Sequence, residues 1–243
     1  MGVRVFGLHR LRLDSQSPLN QGAPYMPWPT ASRLALLLCA VLAVFRPGWA
    51  LAQTETGDRL LPTIARVHYD GGGDWYANPT SLPNLLSEIA TRTGIRVARQ
   101  PAEIRLTHPD LADYPYLYLT GHGNFSLSEQ EADALRAYLA AGGFLHADDN
   151  YGLDESFREE MAEIFPDAEL VEIPAEHPIF HTFYDFPDGL PKIHEHDGAP
   201  PQAFGIFVDG RMLVFYTYES DLGDGWEDAS VHEDPPETRE EAL

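Results

Sequence analysis

His122 stands between two glycines in the run Thr120-Gly121-His122-Gly123-Asn124, directly behind the apolar and aromatic stretch Tyr116-Leu-Tyr-Leu. Glycine on both sides permits positive φ and close backbone approach, and the imidazole can act as acid, base or metal ligand near neutral pH. A pair of acids, Asp148-Asp149, follows a second apolar stretch. A carboxylate buried there needs a hydrogen bond, an ionic partner or a cation. His194 and His196 flank Glu195, a spacing that turns both imidazoles to one side of an extended segment. With a carboxylate such as Asp148 they would make an N/O site for a divalent metal, although no H-E-x-x-H helix is present. His122, Asp148 and Glu195 are therefore the candidate catalytic residues, and His194 and His196 the candidate metal ligands. Each also has a plainer role open to it: a turn, a helix cap, or a packed loop histidine.

A second cluster is the glycine-rich run Asp70-Gly71-Gly72-Gly73-Asp74-Trp75-Tyr76. Its two aromatics could stack on a sugar ring or an apolar ligand, or plug the core. Asp70, Gly71, Gly72, Gly73, Asp74, Trp75 and Tyr76, with Gly121, Gly123, Asn124 and Asp149, form the candidate ligand-binding set. No G-x-S-x-G elbow occurs, and Ser126, the one serine near His122, falls where a helix begins, so an acyl-enzyme is not expected.

Alternating elements must carry these residues. Ile64 to Tyr69 reads as a strand entering the glycine cluster; Thr80 or Ser81 then caps a helix that buries Leu82, Leu85, Leu86 and Ile89 and stops at Gly94. Ile95 to Ala98 is the expected second strand, completing a βαβ unit. Tyr116 to Thr120 and Phe144 to Asp148 read as strands buried on both faces. Between them Ser128 and Glu131 spell a capping box for a helix that ends at Gly142-Gly143. A helix capped by Asp154 follows and stops at Pro166, then a strand from Glu169 to Ile173. Pro174 to Pro201, rich in proline and histidine, reads as a structured loop over the strand ends. Asp209-Gly210 joins Phe204–Val208 to Arg211–Tyr218 as a hairpin at the sheet edge. In such a sheet ligands bind at the carboxyl ends of the strands. There Asp70, Asp74, His122, Asp148, Asp149, Glu219 and Asp221 converge with the segment that holds His194 and His196.

The ends of the chain have a different character. Arg33 precedes twelve apolar residues, Leu34 to Phe45, then Arg46-Pro47-Gly48 and Ala50-Leu51-Ala52. That is a charged region, an apolar core and an A-x-A site, so residues 1–52 are expected to be a Sec-type signal segment cleaved after Ala52, with an uncleaved membrane anchor as the alternative. The run is too short for an ordinary span of about 20 apolar residues. Met26 is an alternative start, since Met1 to Tyr25 lacks pattern. Cys39 is the one cysteine and lies in that run, so the mature chain has no thiol nucleophile, disulfide or thiolate ligand. Cleavage leaves 11 basic and 37 acidic side chains, a formal charge of −26, which disfavours nucleic acid and anionic membrane as partners. Residues 63–231 have the length of one domain, and 232–243 are expected to be an acidic disordered tail.

Four ordered motifs carry a family resemblance: Tyr69 to Tyr76, Pro79 to Leu86, Thr120 to Phe125, and Gly142-Gly143-Phe144-Leu145 running to Asp148-Asp149. Together they resemble the bacterial domain of unknown function 4159, over about Ile64 to Tyr218. That family is itself similar to class I glutamine amidotransferase-like domains. The resemblance implies a three-layer α/β/α sandwich with a mostly parallel, flavodoxin-like sheet and a C-terminal antiparallel hairpin at its edge, and it implies no particular activity. Where an amidotransferase has its cysteine elbow this chain has Asp148-Asp149, so glutaminase chemistry is excluded by the missing thiol. Two expectations follow. One is a periplasmic, non-catalytic module binding an envelope protein or small ligand without a necessary cofactor. The other is a metal- or histidine-assisted hydrolase working through a crevice shared by His122 and Asp148.

Overall fold

The computed structural model describes residues 61–194 and 196–243. The expected signal segment and cleavage site, Cys39 and Glu195 lie outside the described residues.

Seven strands form one sheet in the order β2-β1-β3-β4-β7-β6-β5. They are β1 (Ile64–Val67), β2 (Ala102–Ile104), β3 (Tyr116–His122), β4 (Phe144–Tyr151), β5 (Val171–Glu172), β6 (Gln202–Val208) and β7 (Arg211–Tyr218). β2, β1, β3, β4 and β7 run parallel to one another, whereas β6 is antiparallel to both β7 and β5. The sheet is therefore mixed and mostly parallel, with the hairpin toward one edge. Asp209 and Gly210 both take positive φ, 52° and 77°, the backbone that a two-residue hairpin turn requires.

Alternation along the central strands separates two sets of side chains. Leu117, Leu119, Leu145, Ala147, Val214 and Tyr216 join a core with Leu135 and Leu139 of α2 (Glu129–Ala140) and Phe157 and Met161 of α3 (Asp154–Ile164). Tyr118 and Ile64 join a different cluster with Leu82 and Leu86 of α1 (Ser81–Glu88) and with Leu222 and Trp226. Strands covered on both faces need no polar alternation, which is why β3 and β4 read as continuous apolar runs. Each buried leucine or phenylalanine contributes about 1.5–3 kcal/mol. α2 opens on the expected capping box, with Ser128 and Glu131 exchanging both bonds.

Several elements differ from the sequence reading. Ile95 to Ala98 forms no strand; Ile95 is exposed, and β1 instead pairs with Ala102–Ile104, whose Ile104 lies opposite Val67 and fills the core. α1 passes into a π-helical turn, Ile89–Thr93, before Gly94 ends it at φ 71°. β4 runs on through both acids to Tyr151. Asp154 does not cap α3: the Asp149 carboxylate accepts from Leu153 N at 3.0 Å, while Asp154 meets Arg158 and the Tyr216 hydroxyl. The strand expected at Glu169 to Ile173 shrinks to two residues.

The C-terminal segment is not a disordered tail in the described residues. After α4 (Leu222–Gly225) and α5 (Ala229–His232), a helix, α6 (Pro236–Ala242), starts behind Pro235 with proline at its first turn. Glu240 takes two bonds from Arg92, at 2.7 and 2.9 Å, and Trp226 Nε1 donates to Ala242 O at 2.6 Å. The segment is held to the domain by one of its acids, Glu240, and by a backbone carbonyl near its end. Among the described residues no helix is long and apolar enough to cross a membrane.

Candidate metal centre

β7 ends in a sharp change of direction, because Glu219 and Asp221 both adopt left-handed backbone, with φ 58° and 60°. α4 then packs over the end of β4. Gly223 makes this approach feasible: a Cβ there would meet the Tyr118 hydroxyl, Asn78 Nδ2 and Asp148 Oδ2, all within 3.1 Å. Its amide donates to Asp148 Oδ2 at 2.7 Å.

Asp224 lies at the middle of the resulting cluster. Its Oδ1 accepts from Asn78 Nδ2 at 2.6 Å and from Asn150 Nδ2 at 3.4 Å. Its Oδ2 faces His194 Nδ1 at 2.9 Å and His232 Nε2 at 3.7 Å. One ligand-capable atom from each of His194, Asp224 and His232 falls within 4.8 Å of the others. His194 is delivered by the proline-rich segment, Asp224 by α4 and His232 by the end of α5. Carboxylates ring the group: Asp234 Oδ1 is 3.0 Å from His194 Nε2, and Glu227 Oε2 is 3.3 Å from His232 Nε2.

Asp221 is the outlying member. It is fully buried, its Oδ2 contacts His196 Nε2, and that same oxygen is 3.8 Å from His194 Nδ1. Its Oδ1 has no hydrogen-bond partner among the described residues. Burial, then the nearby charges of Asp148 and Asp224, push its carboxyl up to about 10. His196 stacks on Tyr151 with ring centroids 5.0 Å apart, and the Tyr151 hydroxyl donates to Asp197 at 3.3 Å.

Asp148 and Asp149 point to opposite faces, as strand alternation requires. Asp148 accepts from Tyr118, Thr217 and Gly223; burial still raises its carboxyl to about 6. Behind it runs a buried polar line. Tyr116 Oη is 2.9 Å from His146 Nδ1, His146 Nε2 is 3.2 Å from Thr217 Oγ1, and Thr217 donates to Asp148. Burial alone holds His146 down at about 3, hence neutral. Asp149, on the α3 side with Leu153 N and Tyr216, is also raised to about 6 by burial.

His122 does not join this cluster. Its backbone amide donates to Asp74 Oδ1 at 2.5 Å and its Nδ1 is 3.2 Å from Asp74 Oδ2, whereas none of Asp148's hydrogen-bond partners is His122. A β-bulge between Gly121 and His122 breaks the alternation that would have aligned the two side chains. The glycine cluster is largely a joint between two loops. Gly73 N donates to Asn124 O, Asp74 N to His122 O and Ser126 N to Asp70 O, and a Cβ on Gly71 or Gly121 would collide with the facing loop. Asp70 also pairs with Arg105, and Trp75 stacks on His68 at 4.0 Å. Gly72 and Gly123 carry positive φ there, and Asp70 and Tyr76 are both exposed. Sequence reasoning found His194, His196 and Asp221 but missed Asn78, Asp224, Glu227, His232 and Asp234. The available signal was the glycine-spaced Asp221-Leu-Gly-Asp224-Gly, where acids three residues apart on a one-turn helix share a side. A cavity of about 570 Å³ between α2 and the loop before β3, lined by Leu106, Leu111 and Tyr138, holds none of these groups.

Fold and cluster together define an α/β domain with a mostly parallel sheet and a histidine–carboxylate centre over the ends of β4 and β7. The chain belongs to the family described as Domain of unknown function (DUF4159), whose profile matches residues 63–243 and so includes every residue of the centre. No curated protein matches the chain.

Proposed function

We propose that the domain holds a divalent cation at His194, Asp224 and His232 and uses it in metal-assisted hydrolysis of a neutral or cationic ligand. The carrying observation is that one ligand-capable atom from each of the three residues lies within 4.8 Å of the others. Two imidazoles and a carboxylate suit zinc and neighbouring transition metals, and three protein ligands leave a coordination position for water or substrate. A bound cation would supply Lewis acidity and lower the pKa of a coordinated water. Asn78 and Asn150 orient Asp224, and Asp234 holds His194 through Nε2, the nitrogen turned away from Asp224, as the supporting bonds of metal ligands do; Glu227 faces the same His232 nitrogen that is turned to Asp224. His122, paired with Asp74, stands apart as a candidate proton acceptor on the same sheet edge, and Asp148 serves as a support for α4 rather than as a ligand.

The finer reading of the fold is a three-layer α/β/α, flavodoxin-like sandwich resembling an amidotransferase-like domain without its cysteine. It is supported by the two separate core clusters that take α1 on one side and α2 and α3 on the other. Export to the periplasm rests on the apolar run and A-x-A site of residues 33–52.

A non-catalytic module that binds an envelope protein or small ligand is favoured by one observation. Both His194 nitrogens already face carboxylates, so the cluster can stand as a protein-only network. Elemental analysis of the purified chain, with Asp224→Asn and His232→Ala beside it, separates the two. Stoichiometric metal that either substitution removes supports the metal reading. Metal-free protein whose melting temperature ignores added zinc or manganese overturns it and leaves the binding module.

A further inference from the structure

The buried Asp221 carboxylate is not accounted for by the three-residue site. We infer that the centre is binuclear, with a second divalent cation held by Asp221 and His196 beside the first. The inference rests on the metal reading above and extends it. Asp221 Oδ1 is out of contact with solvent and has no hydrogen-bond partner among the described residues, although a buried polar oxygen left unpaired costs about 1–3 kcal/mol. Its sister oxygen is turned to His196 Nε2 and lies 3.8 Å from His194 Nδ1, so the carboxylate is aimed at the first site's own ligand.

Charge points the same way. Asp148, Asp149, Glu219, Asp221, Asp224 and Glu227 are all buried around this edge, and the one lysine among them, Lys192, is taken by Glu219 at 2.5 Å. A single cation at Asp224 still leaves Asp221 Oδ1 without a partner among the described residues. Tyr151, stacked on His196, closes the outer side and fixes the imidazole plane. The second position accordingly has one carboxylate and one imidazole from protein, and its remaining ligands would be water or substrate oxygens, as suits a site where chemistry occurs.

The test is stoichiometry. The full chain is stripped with chelator, titrated with Zn²⁺ alone or Mn²⁺ alone against a chromophoric competitor, and analysed for bound metal. Two equivalents in the wild type, with one lost in Asp221→Asn and in His196→Ala while the other persists, is the expected result. In the Mn²⁺ form, exchange coupling in the electron paramagnetic resonance spectrum should vanish in both variants. One equivalent in the wild type, unchanged by either substitution, overturns the second site and leaves the first standing. No binding at all overturns the metal reading itself. His196→Ala, at a half-buried position, keeps the test decisive if Asp221→Asn fails to fold.

Discussion

At the scale of single residues, Asp149 and His146, buried on opposite faces of β4, pull the pH dependence of folding in opposite directions. Asp149 is raised to about 6 in the fold against about 4 when unfolded, so its protonated form is favoured by folding. The stability it contributes is full below about pH 4 and is lost as pH rises through 6. Asp154, Asp148 and Tyr216 surround it, and no cation satisfies it directly. Asp149→Asn keeps an acceptor for Leu153 N and should stabilise the fold by up to about 3 kcal/mol at pH 7, and by nothing at pH 4. His146 acts in the opposite sense. Folding holds it neutral down to about 3, so stability is full above about pH 6.5 and declines as pH falls through that value. Urea unfolding of Asp149→Asn beside the wild type at pH 7, 6, 5 and 4 should therefore show a gain in stability that shrinks steadily as pH falls. A variant with the wild-type pH profile would refute the assignment to Asp149.

The elements show where sequence was enough and where it was not. β3, β4, the Asp209-Gly210 hairpin and the Ser128–Glu131 box were legible because each is set by a local pattern: continuous burial, a turn that needs positive φ, a reciprocal cap. Ser128→Ala should cost about 1 kcal/mol in thermal unfolding, a loss carried by one helix end. Leu145→Ala, at the centre of the sheet, should cost about 2–5 kcal/mol, and a cost below about 1 would mean that β4 is not in the core. β2 was misplaced because Ile95 and Val97 are apolar enough for a strand, yet register with β1 is decided by which residue fills the core opposite Val67. The candidate site was half legible for a similar reason. His194 and His196 declare themselves by spacing, but His232 and Asp234 sit in a stretch whose acidity imitates a solvated tail, and only tertiary docking through Arg92 and Trp226 brings it home. The expected alliance of His122 with Asp148 failed on a single bulge, a feature without a sequence signature here.

For the whole molecule, the formal charge of −22 and the buried acids have one common implication. Any divalent cation taken up at the centre binds the folded chain and not the unfolded one. Ligand at a hundred times its dissociation constant then stabilises by about 2.7 kcal/mol. Zinc or manganese should raise the melting temperature by several degrees, chelator should reverse this, and magnesium at the same concentration should do little, since it prefers oxygen ligands and keeps its waters. Truncation after Val231 removes His232 and Asp234 together with α6, and should abolish the metal-dependent rise even where the shortened chain still folds.

The donors of the proposed site come from three separate stretches of the chain, His194 standing 30 positions before Asp224. No partial assembly of the polypeptide presents all of them at once. Ion capture is then the closing event of folding, and its kinetic imprint falls on the exit path: a loaded molecule should open far more slowly than a stripped one, while both reach the native state at the same speed.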